Sequence, residues 1–152
     1  GKAFSMKVHT TRFGNINVPE DSIYVFPAGL LGFPTETQFA IISENDGPLK
    51  WLQSITVPEL AFVVCDPLTF KPDYQVKAPK TELSEIDIED VNAAVVLVIL
   101  VVRENPAEIT ANLLGPLVFN SENRKAKQLV LSDAELSTKY KILAGNYAAN
   151  AS

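Results

Sequence analysis

The sequence contains a single cysteine, Cys65, and a single histidine, His9. One cysteine can form neither an intramolecular disulfide nor a cysteine-based metal cluster, and such usage fits a reducing compartment, the cytoplasm. Long apolar runs are missing too: the longest, Ala93 to Val102, has ten residues, about half of the roughly 20 that a membrane-spanning helix needs. It reads as a core segment. The opening residues, Gly1-Lys2-Ala3-Phe4-Ser5, stand before Met6 and carry no apolar stretch of the secretory kind, so residues 1–5 read as an appended remnant. Basic charge is in deficit, with 13 Lys plus Arg against 18 Asp plus Glu and a formal net charge of −5. A chain of this charge repels phosphate backbones. A basic protein partner is expected, with no direct nucleic-acid or membrane contact.

What is present is the composition of a folded domain: 47% apolar and 20% charged residues in 152, enough to bury one ordinary core. Ten prolines, at 19, 27, 34, 48, 58, 67, 72, 79, 106 and 116, leave almost no room for a long helix. The short runs between them are rich in Val, Ile, Phe, Tyr and Thr, the composition of strands. Lys7 to Phe13 alternates and is followed by Gly14-Asn15 and Ile16 to Val18, which predicts a hairpin. Phe39 to Ser43 and Trp51 to Ile55 flank Asn45-Asp46-Gly47-Pro48, where Asp-Gly offers positive φ for a second reversal.

Leu60 to Cys65 and Ala93 to Val102 are continuous apolar runs, expected of strands covered on both faces and so of the centre of the fold. Leu117 to Phe119 and Leu129 to Leu131 predict further strands, joined through the polar stretch Asn120 to Lys127. Two short helical signals remain, Thr81 to Ile86 and the capping-box pattern Ser132-Asp133-Ala134-Glu135. The expected fold is therefore mostly β: a barrel-like, largely antiparallel sheet of about 8–10 strands with one or two short helical turns. Residues 6–143 form one such domain, and the tail 144–152 carries too little apolar surface to pack and is expected to be disordered.

Residue chemistry points away from catalysis. A thiol hydrolase would have to bring Cys65 to His9, yet Cys65 ends the apolar run Phe62-Val63-Val64, the setting of a buried and inert thiol. Metal ligands at recognised spacing are lacking, and no metal or cofactor is expected. Asp46, Asp66 and Asp73 sit beside Gly or Pro, where Asp serves turns. Gly29-Leu30-Leu31-Gly32 has the spacing of a backbone-clamping loop but no flanking positive charge, and so reads as a turn. Arg124-Lys125-Ala126-Lys127 is the basic cluster, and Arg124 and Lys127 stand as contacts for an anionic partner against the alternative of a solvated loop. Aromatic residues in proline-stiffened loops, Phe33 before Pro34 and Phe70-Lys71-Pro72-Asp73-Tyr74, suit a protein–protein contact, with the alternative that Phe70 and Tyr74 turn into the core.

Several segments together resemble one family, the bacterial flagellar assembly factor FliW. They are Gly29 to Pro34 (GLLGFP), Trp51-Leu52-Gln53-Ser54, Leu60 to Pro67 (LAFVVCDP), Pro72-Asp73-Tyr74, Thr110 to Asn120 (TANLLGPLVFN) and Asn123 to Gln128 (NRKAKQ). They come in the family's order and cover most of 7–131; Ala126 stands where glycine is expected. The resemblance implies a non-catalytic β-barrel-like protein that binds newly made flagellin. It also implies a second partner, the RNA-binding translational regulator CsrA, whose repression of flagellin synthesis is relieved.

An apolar groove would suit flagellin's amphipathic terminal helices. The 66–74 loop and the 110–120 segment are expected to border it, with Phe33, Phe70, Pro72, Asp73, Tyr74, Asn112, Asn120, Arg124 and Lys127 as partner-binding residues. Asn112 and Asn120 equally suit turn capping. The default oligomeric state is a monomer. The rival functions are a Cys65/His9 thiol hydrolase and a small-molecule-binding β-barrel.

Overall fold

The computed structural model describes residues 4–144. Eleven strands are present: β1 (Ser5–Thr10), β2 (Gly14–Pro19), β3 (Ile23–Val25), β4 (Gln38–Ile42), β5 (Leu49–Ser54), β6 (Ala61–Cys65), β7 (Val95–Val101), β8 (Thr110–Ala111), β9 (Leu117–Asn120), β10 (Lys125–Gln128) and β11 (Tyr140–Lys141). The helix α1 (Lys80–Ser84) lies between β6 and β7, and the remaining helical elements are short 3-10 turns. Strands β1 and β2 form a separate hairpin, and the other nine run in the order β11-β8-β7-β6-β5-β4-β3-β10-β9. Strand β9 also pairs with β7, through Val95↔Phe119 to Leu97↔Leu117, and this closes seven strands into a ring. Every pairing is antiparallel except β10 with β3, so the barrel-like, largely antiparallel sheet expected from the sequence is the observed fold.

Alternation along the strands sorts the apolar residues between two faces. Leu52, Val64 and Leu97 point into the ring, where Tyr24, Phe26, Phe39 and Phe119 fill it. The rings meet edge to face, Phe26 lying 5.6 Å from Phe39 and 5.7 Å from Phe119 between centroids. Full burial of each such side chain contributes about 1.5–3 kcal/mol. These side chains occupy the middle of the ring, as a closed sheet of this size allows. On the outer face, Cys65, Val98 and Leu100 pack under Phe70, Tyr74, Leu113 and Ile142. Val118 packs under Leu83, Ile86 and Ile88 of the α1 region.

Both predicted hairpins form, with different turns. Strand β1 stops at Thr10, not Phe13, because the Thr10 hydroxyl accepts from the Phe13 N–H at 2.7 Å and Gly14 takes φ +70°, so Thr11–Phe13 make the reversal. In the second, Asp-Gly makes no tight turn. Gly47 is not among the positive-φ residues; its N–H donates to Asn45 Oδ1 at 2.8 Å inside a loop of six residues, 43–48.

Strand β10 occupies Lys125–Gln128, where a linker was expected, and Leu129 to Leu131 lie just past it. The buried residue setting this register is Ala126, opposite Phe119, and Arg124 at φ +56° closes the turn before it. Leu129 and Leu131 still donate backbone bonds, to Pro116 and Leu114. Around Ser132 no helix forms: Asp133, not Ser132, caps a turn by accepting from the Glu135 N–H at 2.9 Å. Strand β1 takes in Ser5, and residues 1–3 and 145–152, which hold most of the expected remnant and tail, lie outside the described residues. No helix among the described residues is long and apolar enough to cross a membrane.

Candidate functional site

Two depressions adjoin on the face formed by the start of β7 and the loops around it. The first is an apolar groove of about 450 Å³ lying between the turn after β6 and the segment leading into β7. Tyr74 contributes to its floor; Leu68, Val76, Val91 and Val95 line it, Leu68 and Val95 being 52% and 46% exposed. Its two sides are 3-10 turns built alike. Asp66 Oδ1 accepts from the Leu68 N–H at 2.9 Å, and Asp90 Oδ1 accepts from the Asn92 N–H at 2.9 Å, so each aspartate caps the turn that follows it.

The second depression, about 410 Å³, is lined by Asp87, Glu89, Asp90 and Glu122 over Ala93 and Ala94, and Ala94 belongs to both. Lys125 pairs with Asp87 at 3.6 Å across exposed side chains. Lys50, at the far end of the groove, donates to the Ser43 hydroxyl at 3.1 Å. The result is an apolar trough opening onto an acidic cleft.

The residues expected to bind a partner are dispersed by the fold. Phe70 is 1% exposed and stacks on Tyr140 at 5.8 Å, and Tyr74, 7% exposed, donates its hydroxyl to the Leu113 carbonyl at 2.7 Å, so both rings have turned into the core. Burial lifts the Tyr74 phenol far above the ordinary tyrosine range. Pro72 and Asp73 stay at the surface, Asp73 paired with Lys71 at 3.1 Å. Phe33 is 39% exposed and meets Phe62 edge to face at 5.7 Å.

Asn112 Oδ1 accepts from the Leu114 N–H. Asn120 is spent on structure: Nδ2 donates to the Ile86 and Asp87 carbonyls and Oδ1 accepts from the Glu122 N–H. Lys127 pairs with Glu82 and Glu85, joining β10 to α1, while Arg124 remains exposed. The 66–74 loop lines the groove through Asp66, Pro67, Leu68 and Tyr74, and the 110–120 segment reaches the acidic cleft through Phe119 and Asn120. Leu68, Val95 and the cleft carboxylates carried no motif in the sequence; the visible signal was the Asp-Pro at 66–67, whereas the apolar run Ala93 to Val102 gave no sign that Val95 is exposed.

Cys65 and His9 are not brought together. The thiol is buried, lies 3.5 Å from the Asp66 carbonyl oxygen that accepts from it, and is pushed up in pKa by that burial; His9 Nδ1 is 2.6 Å from Asn15 Oδ1 across its own hairpin. No group of three His, Cys, Asp or Glu residues that could hold a metal ion occurs among the described residues.

The family model for the FliW protein matches residues 7–142, nearly the whole described chain. The chain belongs to the FliW family. It is 40% identical over 140 residues to the flagellar assembly factor FliW of Caldanaerobacter subterraneus subsp. tengcongensis, covering 91% of this chain and 93% of that protein. With the flagellar assembly factor FliW of Alkaliphilus metalliredigens the identity is 41% over 140 residues, covering 91% and 86%. A crystal structure of the flagellar assembly factor FliW superposes with a TM-score of 0.81 at 32% identity, over 90% of this chain and 96% of that one.

The segments that carry the FliW resemblance meet in the fold. In the turn at Gly29–Pro34, Leu30 and Phe33 exchange backbone hydrogen bonds, with Gly29 and Gly32 at φ +68° and +86°. Gln128 then accepts from the Leu31 N–H at 2.9 Å and donates to the Gly115 carbonyl at 3.1 Å, linking three FliW segments distant in sequence. These segments build the frame; the groove and cleft lie on its surface.

Proposed function

We propose that this chain is a non-catalytic flagellar assembly factor that binds flagellin and, alternately, the translational regulator CsrA, antagonising its repression of flagellin synthesis. The observation that carries this reading is the match to curated flagellar assembly factors over about nine-tenths of the chain. The apolar groove beside the acidic cleft supports it: apolar side chains of an amphipathic helix find a trough to fill, and a basic RNA-binding protein finds negative surface. A carboxylate-rich protein docked on such a regulator also repels RNA phosphate.

The test is a gel-shift with CsrA bound to the leader of a flagellin message. A stoichiometric amount of the chain is expected to release the RNA, and added flagellin to restore the complex. A shift unchanged by the chain would contradict the antagonism.

A further inference from the structure

The groove and the cleft differ in chemistry yet share Ala94, so one ligand can cover both. Side chains exposed on the apolar side, Leu68 and Val95, lose water only when another apolar surface covers them. On the acidic side, five carboxylates line the two depressions, Asp66, Asp87, Glu89, Asp90 and Glu122, against one lysine, Lys50, whose ammonium is turned to Ser43. Of the five, Asp87 has a cation, Lys125 at 3.6 Å, and none of the other four has one among the described residues. Caps on the two flanking turns fix Asp66 and Asp90 in place, so these two carboxylates lose little side-chain entropy when a cation arrives.

We infer that this face docks a basic amphipathic segment of a protein partner, its apolar side chains entering between Leu68 and Val95 and its Lys or Arg side chains reaching Glu89, Asp90 and Glu122. The assignment rests on the reading above, that the chain works by binding proteins, and adds where it binds and with what chemistry. An acidic amphipathic segment would meet like charge at the cleft. An uncharged one would leave four carboxylates without a cation.

The experiment is a fluorescence-anisotropy titration of the full chain with two labelled synthetic helical peptides that share one Leu stripe at i, i+3, i+4 and i+7. One carries lysines beside the stripe, the other glutamates. Three proteins are compared: wild type, Glu89→Gln with Glu122→Gln, and Leu68→Ser with Val95→Ser. All four positions are exposed, so the variants keep the fold, verified by an unchanged urea midpoint.

Binding of the lysine peptide alone is expected, weakened by about threefold or more at low salt in the charge variant and by about tenfold or more in the apolar variant. Equal affinity for both peptides, or variants that bind like wild type, would overturn the assignment, as would a wild-type dimer that the apolar variant abolishes. Flagellin and CsrA are titrated against the same three proteins. Partners that bind all three alike remove this face as the site while leaving the proposed function standing; partners that bind none remove the function itself.

Discussion

The hydroxyl of Tyr74 donates a 2.7 Å hydrogen bond to the carbonyl oxygen of Leu113, and both residues are buried. The bond joins the loop after β6 to the segment after β8, 39 residues apart, and holds the groove floor in place. Tyr74→Phe leaves that carbonyl without a partner and is expected to cost about 1–3 kcal/mol in urea unfolding. Phe70→Ala, next to it in the same cluster, is expected to cost about 3–5 kcal/mol through the cavity it leaves. Unchanged midpoints would place both rings outside the core.

Burial also makes stability depend on alkaline pH. Tyr74, Tyr24 and Cys65 all have raised pKa values, desolvation being the largest cause in each. Once pH passes the ordinary values, 9.0 for the thiol and 10.0 for the phenols, the unfolded chain releases protons that the native chain retains. These groups therefore stabilise fully below about pH 9 and lose that contribution progressively above it. Urea midpoints between pH 8 and 11 are expected to fall from pH 9 upward. The fall is expected to be shallower above pH 10 in Tyr74→Phe and between pH 9 and 10 in Cys65→Ala.

Two glycines of one turn are predicted to behave differently. A Cβ on Gly29 would stand 2.5 Å from the Phe33 carbonyl oxygen and 2.6 Å from that of Pro34, whereas one on Gly32 meets nothing within 4 Å. Both have positive φ. Gly32→Ala is expected to cost about 1 kcal/mol for its backbone conformation alone, and Gly29→Ala clearly more, because backbone must move. Thermal midpoints of the pair measure the difference.

Asn120 separates a structural from a contact role. Its amide holds the carbonyls of Ile86 and Asp87, the latter at φ +60°, at the end of the α1 region. Asn120→Ala is expected to lower stability by about 1–2 kcal/mol. A loss of partner affinity at unchanged stability would instead make it a contact residue.

Much of the fold was legible because cover on both faces leaves continuous apolar runs, as in Ala61–Cys65 and the middle of β7, and because prolines exclude helices; the ends of the second run depart from this, Val95, Val101 and Val102 being exposed. The misplacement of β10 has one cause. Ala126 is buried although it stands among three basic residues, while Leu129 to Leu131 look more strand-like than Lys125–Gln128; register depends on what faces Phe119, which local composition does not carry. Phe70 and Tyr74 were ambiguous for a similar reason: an aromatic in a proline-stiffened loop serves the core or the surface according to a neighbour, Leu113, far along the chain. One side of the groove, the 66–74 loop, was singled out in the sequence; the other, 91–97, was not, because the two stretches that assemble the groove carry no shared motif.

The most direct test of the account is a calorimetric titration of the purified chain with monomeric flagellin. A saturable, stoichiometric isotherm, weakened by Leu68→Ser with Val95→Ser, is the expected result. No heat and no complex at micromolar concentrations of both proteins would contradict it.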